Sequence, residues 1–351
     1  MMNWLKQGAY ALAAALVGVA VAAAPTPAAA QPVDRLLGVV EPVKAKKKYR
    51  IAYASADLNA AFFVSVAYGV VDEADKAGVE LVRVFSAGGY GNVAEQIAQL
   101  ESAGSMNLDA VILLSTAFDG FDKALERLTQ KGTKVILLGA PVNSKNASHI
   151  IAQDEPGLGR MMAGHICKQK PGAKVITLPG PPGVAWNKLR FDGFQDEAKK
   201  CNLNLVGNVF KGHIALEEGQ AQASDLLLKF GDADYIYAVA GVVGVGAAQA
   251  AKRMKHKAKV VTAVVAKETV ELIREGHIEM AVAEPAILFG RASVQYAVRV
   301  LNGDATPGLV PGIFPYPAAF VRNLELTKDK LDKYDLYAYD NAPDGWKPPV
   351  R

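Results

Sequence analysis

Cysteine and histidine are scarce in this chain, and their scarcity closes off most metal chemistry. Two cysteines cannot supply a four-thiolate zinc site, and His149, His165, His213, His256 and His277 fit no H-E-x-x-H or other close ligand spacing. No metal is expected. A G-x-S-x-G elbow is absent, which removes the usual serine nucleophile. The glycines of Gly241-VVGVGAA run G-x-x-G-x-G, the wrong order for a dinucleotide loop, and Gly180-PPGVAWNK lacks the adjacent Lys and Ser/Thr of a phosphate loop. No cofactor is therefore expected. An excess of one charge is missing too: 39 Lys and Arg stand against 35 Asp and Glu, a net charge of +4. Nucleic-acid binding would need basic residues clustered on one face. The one basic run, Lys44 to Lys48 with Arg50, reads as a solvated linker.

What the chain does have begins at its first residues. Lys6, an apolar run from Ala9 to Ala24 and the triplet Ala28 to Ala30 before Gln31 form the three-part layout of a secretory leader over 1–30. An uncleaved anchor would need about 20 apolar residues, and this run is shorter. No cysteine lies near the cleavage site for lipid attachment. The mature chain is expected to act outside the cytoplasm, free of the membrane. Oxidising surroundings let disulfides persist, so Cys167 and Cys201, each near a helix C-terminus, are open to a single bridge. Two buried thiols are the alternative.

From Tyr49 onward, short Val/Ile/Leu runs alternate with amphipathic helices, the signature of parallel strands covered on both faces. The series restarts after Ser148, so two doubly wound α/β lobes with a cleft between them are expected. In such sheets ligands bind beyond the carboxyl ends of the strands. The informative residues are thus Asp57 to Phe63, Gly88 to Asn92, Thr116 to Asp119, Pro179 to Lys188, Gly241 to Gly246, and Glu284 with Pro285. Carboxylates there (Asp57, Asp119, Asp154, Glu155, Glu284) would suit acid and base work in pairs, although capping and surface roles are commoner. Aromatic residues are the sharper signal. Phe62 and Phe63 follow the first strand, Tyr90 the second, and Trp186 a Gly/Pro-rich turn, as suits a concave small-molecule site. Aromatic faces would also attract a methylated ammonium group.

The stretch from Phe62-Phe63 to Lys76-Ala-Gly78, with Ile150 to Arg160, Arg190-Phe-Asp-Gly-Phe194 and Glu284-Pro285 to Gly290, resembles the ribose-type periplasmic binding proteins. The resemblance implies two lobes joined by three hinge crossings, here near Ile150 to Gln153, near Ala281 to Glu284, and within the Pro-rich stretch Pro307 to Pro317. It divides the chain into a leader (1–30), a linker (31–48), a first lobe (49–152 and 284–308), a second lobe (153–283 and 309–325) and a tail (326–351). Sugar binders of this kind carry polar pairs where this chain has Gly139-Ala140, Ala240-Gly241 and Val265-Ala266. Buried sugar hydroxyls without partners would be costly. Ala87-Gly-Gly-Tyr90, Gln96, Gln99, Pro179-Gly-Pro181 and the long tail resemble more closely the TorT-type periplasmic sensors of trimethylamine N-oxide.

That resemblance implies a periplasmic protein without catalytic activity, which closes on a small ligand and reports to a membrane-bound sensor histidine kinase. An ABC transporter permease is the alternative partner. Phe62, Phe63 and Trp186 are expected to form apolar walls, Tyr90 a wall with a hydroxyl, and Lys188 and Glu284 polar contacts.

Overall fold

A computed structural model describes residues 40–312 and 314–349; the leader expected over 1–30 lies outside them. The alternation begins with β1 (Arg50–Ser55), α1 (Ala61–Ala77), β2 (Glu80–Ser86), α2 (Val93–Ala103), β3 (Ala110–Leu113), α3 (Asp122–Gln130), β4 (Lys134–Gly139) and β5 (His149–Ala152). After the first crossing come α4 (Glu155–Gln169), β6 (Lys174–Leu178), α5 (Ala185–Lys199), β7 (Asn204–Val206), α6 (Leu216–Lys229), β8 (Tyr235–Ala238), α7 (Gly241–Arg253), β9 (Lys259–Ala263), α8 (Lys267–Glu275) and β10 (Ile278–Ala283). The chain then returns to the first lobe with α9 (Ala286–Asn302) and β11 (Ala318–Phe320), and re-enters the second with β12 (Leu324–Leu326).

Each lobe is built on a six-stranded sheet. The first has the order β11-β5-β4-β3-β1-β2 and is parallel throughout; the second has the order β12-β10-β9-β8-β6-β7 and is parallel except for β12. The inner strands are buried on both faces, as their continuous apolar runs require. Two cores flank each sheet.

Three helix pairs pack backbone to backbone through reciprocal glycines. A Cβ on Gly69 of α1 would stand 2.0 Å from the Ile287 carbonyl oxygen, and one on Gly290 of α9 2.2 Å from that of Val66. Gly159 of α4 and Gly193 of α5 meet Arg190 and Pro156 oxygens at 1.9 and 2.1 Å in the same way, and Gly219 and Gly246 join α6 to α7. Only residues without a Cβ permit such approach. The α4–α5 pair is also tied at its far end, where the Cys167 and Cys201 sulfurs are bonded and their Cα atoms lie 5.6 Å apart.

Two of the crossings fall between β5 and α4 and between β10 and α9. The third lies at 321–323, beyond the Pro-rich stretch expected to hold it. A three-residue strand hides behind those prolines: Ala318 to Phe320 pair in parallel with Ile150 to Ala152, which keeps residues up to 320 in the first lobe. Two further expectations are corrected by packing. Residues 40–48 are no free linker, because Val40 enters the first core, the Val43 amide donates to Gln295 of α9, and Lys46 pairs with Asp304 at 2.6 Å. Nor is the tail an appendage. Leu331 lies in the second-lobe core, Tyr334 packs against cores of both lobes, α10 (Leu336–Tyr339) follows, and Trp346 meets Tyr68 of α1 at 5.3 Å. The tail thus makes a fourth passage between the lobes.

Candidate functional site

The first lobe offers aromatic rings. Asp57 closes the turn before α1, its carboxylate accepting from the Leu58, Asn59 and Ala60 amides, and this sets Phe62 and Phe63 on the first turn of the helix. Their ring centroids are 5.6 Å apart, edge to face. Tyr90 stands on a turn whose glycines, Gly88, Gly89 and Gly91, all have positive φ, a backbone that side chains with a Cβ resist. Its ring lies 5.8 Å from Phe63 and 6.5 Å from Trp186 of the second lobe. The row Phe62, Phe63, Tyr90, Trp186 therefore spans the cleft. Phe63 is mostly a core residue, whereas Tyr90 keeps 41% of its surface open.

Charge comes from the second lobe and its hinges. Arg190, one helical turn after Trp186, places its guanidinium 5.0 Å from the Trp186 ring centroid, a cation–π arrangement. It is 1% exposed. Nε and Nη2 donate to Oε2 of Glu155 at 2.8 and 2.5 Å, and Nη1 donates to the Val239 carbonyl at 2.8 Å. Nη1 also lies 2.8 Å from Oε1 of Glu284, although Oε1 takes part in no aligned hydrogen bond. Glu284 Oε2 accepts from Gln153 Nε2 at 2.6 Å, so residues of the first two crossings meet beside Arg190.

Burial pushes Glu155 up to about 7 against the pull of Arg190, with Glu284 adding to the rise. The Tyr90 hydroxyl is also held well above its ordinary range, first by burial of the phenol oxygen and then by Glu155 and Glu284. For Arg190, burial works against the charge, but the two carboxylates outweigh it and raise its pKa. Asp340 of the tail is driven up to about 8 by burial, with Glu284 contributing.

Of the six residues expected to touch ligand, five are brought together and one is not. Lys188 points outward from α5, pairs with Asp192 at 2.6 Å and leaves 67% of its side chain exposed. The reason is helical phase: Asn187, Arg190, Phe191 and Phe194 face inward, and 188 and 192 fall on the opposite side. Arg190 is the residue that sequence reasoning passed over as a site member, and Glu155, weighed only as one of five carboxylates that could face the cleft, is the acid it pairs with. The available signal was the Trp186–Arg190 spacing of four, which stacks two side chains on one helix face.

Close packing explains the apolar strand ends. A Cβ at Gly241 would lie 2.4 Å from the Val264 carbonyl oxygen, and Val265 is 1% exposed, so these turns leave little room for polar side chains. Among the described residues, no three His, Cys, Asp or Glu side chains are grouped to hold a metal ion. An open hollow of about 610 Å³ lined by Asp154, Arg160, Lys168, Phe320 and Arg322, among others, includes neither the ring row nor Arg190.

Two doubly wound lobes, linked by repeated crossings and meeting at their strand ends over an aromatic and charged cleft, define a two-lobed binding protein. The chain belongs to the periplasmic binding protein domain family, whose model matches residues 51–305. It is 26% identical over 278 residues to the Ribose import binding protein RbsB of Haemophilus influenzae, covering 79% of this chain and 94% of that one. It is 22% identical over 268 residues to the Periplasmic protein TorT of Escherichia coli K12, covering 75% and 76%. A solved structure described as a sugar ABC transport system substrate-binding protein from Bordetella parapertussis superposes with a TM-score of 0.85 at 36% identity, over 90% of this chain and all of that one. The expected nearness to TorT is therefore not singled out, because ribose import proteins match at least as well.

Proposed function

We propose that this protein is the periplasmic solute-binding component of an ABC-type importer, closing its lobes on a small molecule held at Tyr90, Trp186 and Arg190. The observation that carries the reading is the meeting of Tyr90 from one lobe with Trp186 from the other at 6.5 Å, beside an ion-paired cluster drawn from two crossings. Likeness to ribose import proteins and to a sugar-transport binding protein supports a permease as partner. Ligand that binds the closed arrangement better than the open one shifts the lobes toward closure, and the closed surface is what a membrane partner reads. Export through the leader at 1–30 belongs to this reading, as does the absence of any catalytic step. The sensing alternative, with a histidine kinase as partner and trimethylamine N-oxide as ligand, draws on the TorT match and uses the same cleft. Calorimetric titration with ribose, galactose, trimethylamine N-oxide and choline tests the proposal. Saturable heat with one solute class is expected, and heat from none of them would count against a solute site. Heat from trimethylamine N-oxide alone would favour the sensor over the importer.

A further inference from the structure

Resting on the reading of the cleft as a solute site, we propose that the solute carries a compact positive charge, an ammonium group that is primary or alkylated. The site holds one cation and two carboxylates. Arg190 is shared between Glu155 and Glu284, so with both acids ionised the cluster has one negative charge to spare. A buried charge without a partner is expensive, and a ligand cation would supply the missing one. Burial pushes Glu155 up to about 7, so near neutral pH a proton covers part of that surplus charge, and a ligand cation would take the proton's place.

Hydrogen bonding and ring placement point the same way independently. Asn187, fully buried and next to Trp186 in the chain, has an Oδ1 that accepts no hydrogen bond, whereas Glu284 Oε1, although in no aligned hydrogen bond, already lies 2.8 Å from Arg190 Nη1. The Asn187 oxygen is an acceptor and calls for a donor. Aromatic faces attract cations, and Tyr90 and Trp186 bring rings to the two sides of the cleft. Trp186 Nε1 is a buried donor without a partner, which suits one acceptor oxygen elsewhere on the solute. The other solute classes fare worse. An anion would bring a third negative charge beside Glu155 and Glu284. A neutral sugar would leave the surplus charge in place.

The test is calorimetry on the mature chain with choline and ethanolamine, beside 3,3-dimethylbutan-1-ol, the uncharged counterpart of choline, and beside ribose and galactose. At least one cation is expected to bind, choline at least tenfold more tightly than its neutral counterpart if choline is the one, with affinity falling as salt rises. Glu155→Gln should lower cation affinity about tenfold. Should that variant fail to fold, the wild-type pH series serves instead. Glu155 faces Arg190 on α5, Tyr237 on β8, Glu284 after β10, Asp154 beside it and Tyr90 across the cleft. A bound cation favours the ionised acid, so binding should tighten between pH 6 and pH 8. Binding of ribose, galactose or the neutral alcohol without either cation overturns this inference and leaves the solute site standing. Binding of no compound overturns both.

Discussion

The two lobes share a fold and differ in what they bring to the cleft. The first contributes rings on strand-end turns, and its nearby carboxylate, Asp57, is spent on the turn before α1. The second contributes a guanidinium locked between acids and a tryptophan beneath it. Each half alone is a poor site. One is an exposed apolar edge, the other a charge cluster that water would screen. Bringing them together would lower the local dielectric around the charges and strengthen them, which under the proposed function makes affinity a property of the closed form. The difference also predicts that damage to the second lobe is felt in stability, whereas damage to the first is felt in binding.

Arg190→Ala should be the most damaging change. It leaves Glu155 and Glu284 buried without their partner, a loss of about 3–5 kcal/mol for comparable buried pairs, and denaturant unfolding would measure it. Separating the sulfurs with Cys167→Ser and Cys201→Ser comes next. The bond closes a sequence separation of 34, and loops of this order are stabilised by about 2–4 kcal/mol. If thermal unfolding shows two transitions, the lower one should belong to the second lobe in this variant.

Asp340→Asn has an effect that depends on pH. The carboxyl of Asp340 is raised from 3.8 to about 8 in the folded chain, so the folded state binds more protons than the unfolded one between those values. Its contribution is complete below 3.8 and is lost as pH rises through about 8. Wild type should therefore lose stability over that window more steeply than Asp340→Asn, and the variant should overtake it at the alkaline end. Parallel melting curves across the window would show the difference. Tyr90→Ala removes an edge-to-face contact with Phe63, worth about 0.5–1.5 kcal/mol of stability, while abolishing detectable solute binding in calorimetry. At the small end, Lys188→Ala should leave stability within about 0.5 kcal/mol, since exposed i,i+4 pairs contribute little, and should leave affinity unchanged.

The alternation of strands and helices was legible because buried parallel strands must be apolar throughout and their covering helices must be two-faced. The ring row was legible for a local reason as well: Phe62, Phe63, Tyr90 and Trp186 each sit just past a strand. Arg190 and its pairing with Glu155 were not, because the two residues lie 35 apart in sequence and no local pattern announces the pair; Glu155 stood only as one carboxylate among five. Lys188 was misjudged by two positions of helical phase. The strand Ala318 to Phe320 and the returning tail escaped because three apolar residues, or a Tyr and a Trp in a polar stretch, acquire meaning only from the surface they meet. Packing of 40–48 on α9 is of the same kind.

The central claim is that a solute sits between Tyr90 and Trp186 as the lobes close. In a chain begun at Gln31 and carrying Trp346→Phe, Trp186 is the sole tryptophan, and its fluorescence can be followed while choline, ethanolamine, ribose, galactose and trimethylamine N-oxide are titrated in turn. A saturable change in emission with one solute class is expected, lost when Tyr90→Ala is added. An emission that stays flat for every solute, or a response that survives Tyr90→Ala undiminished, would contradict it.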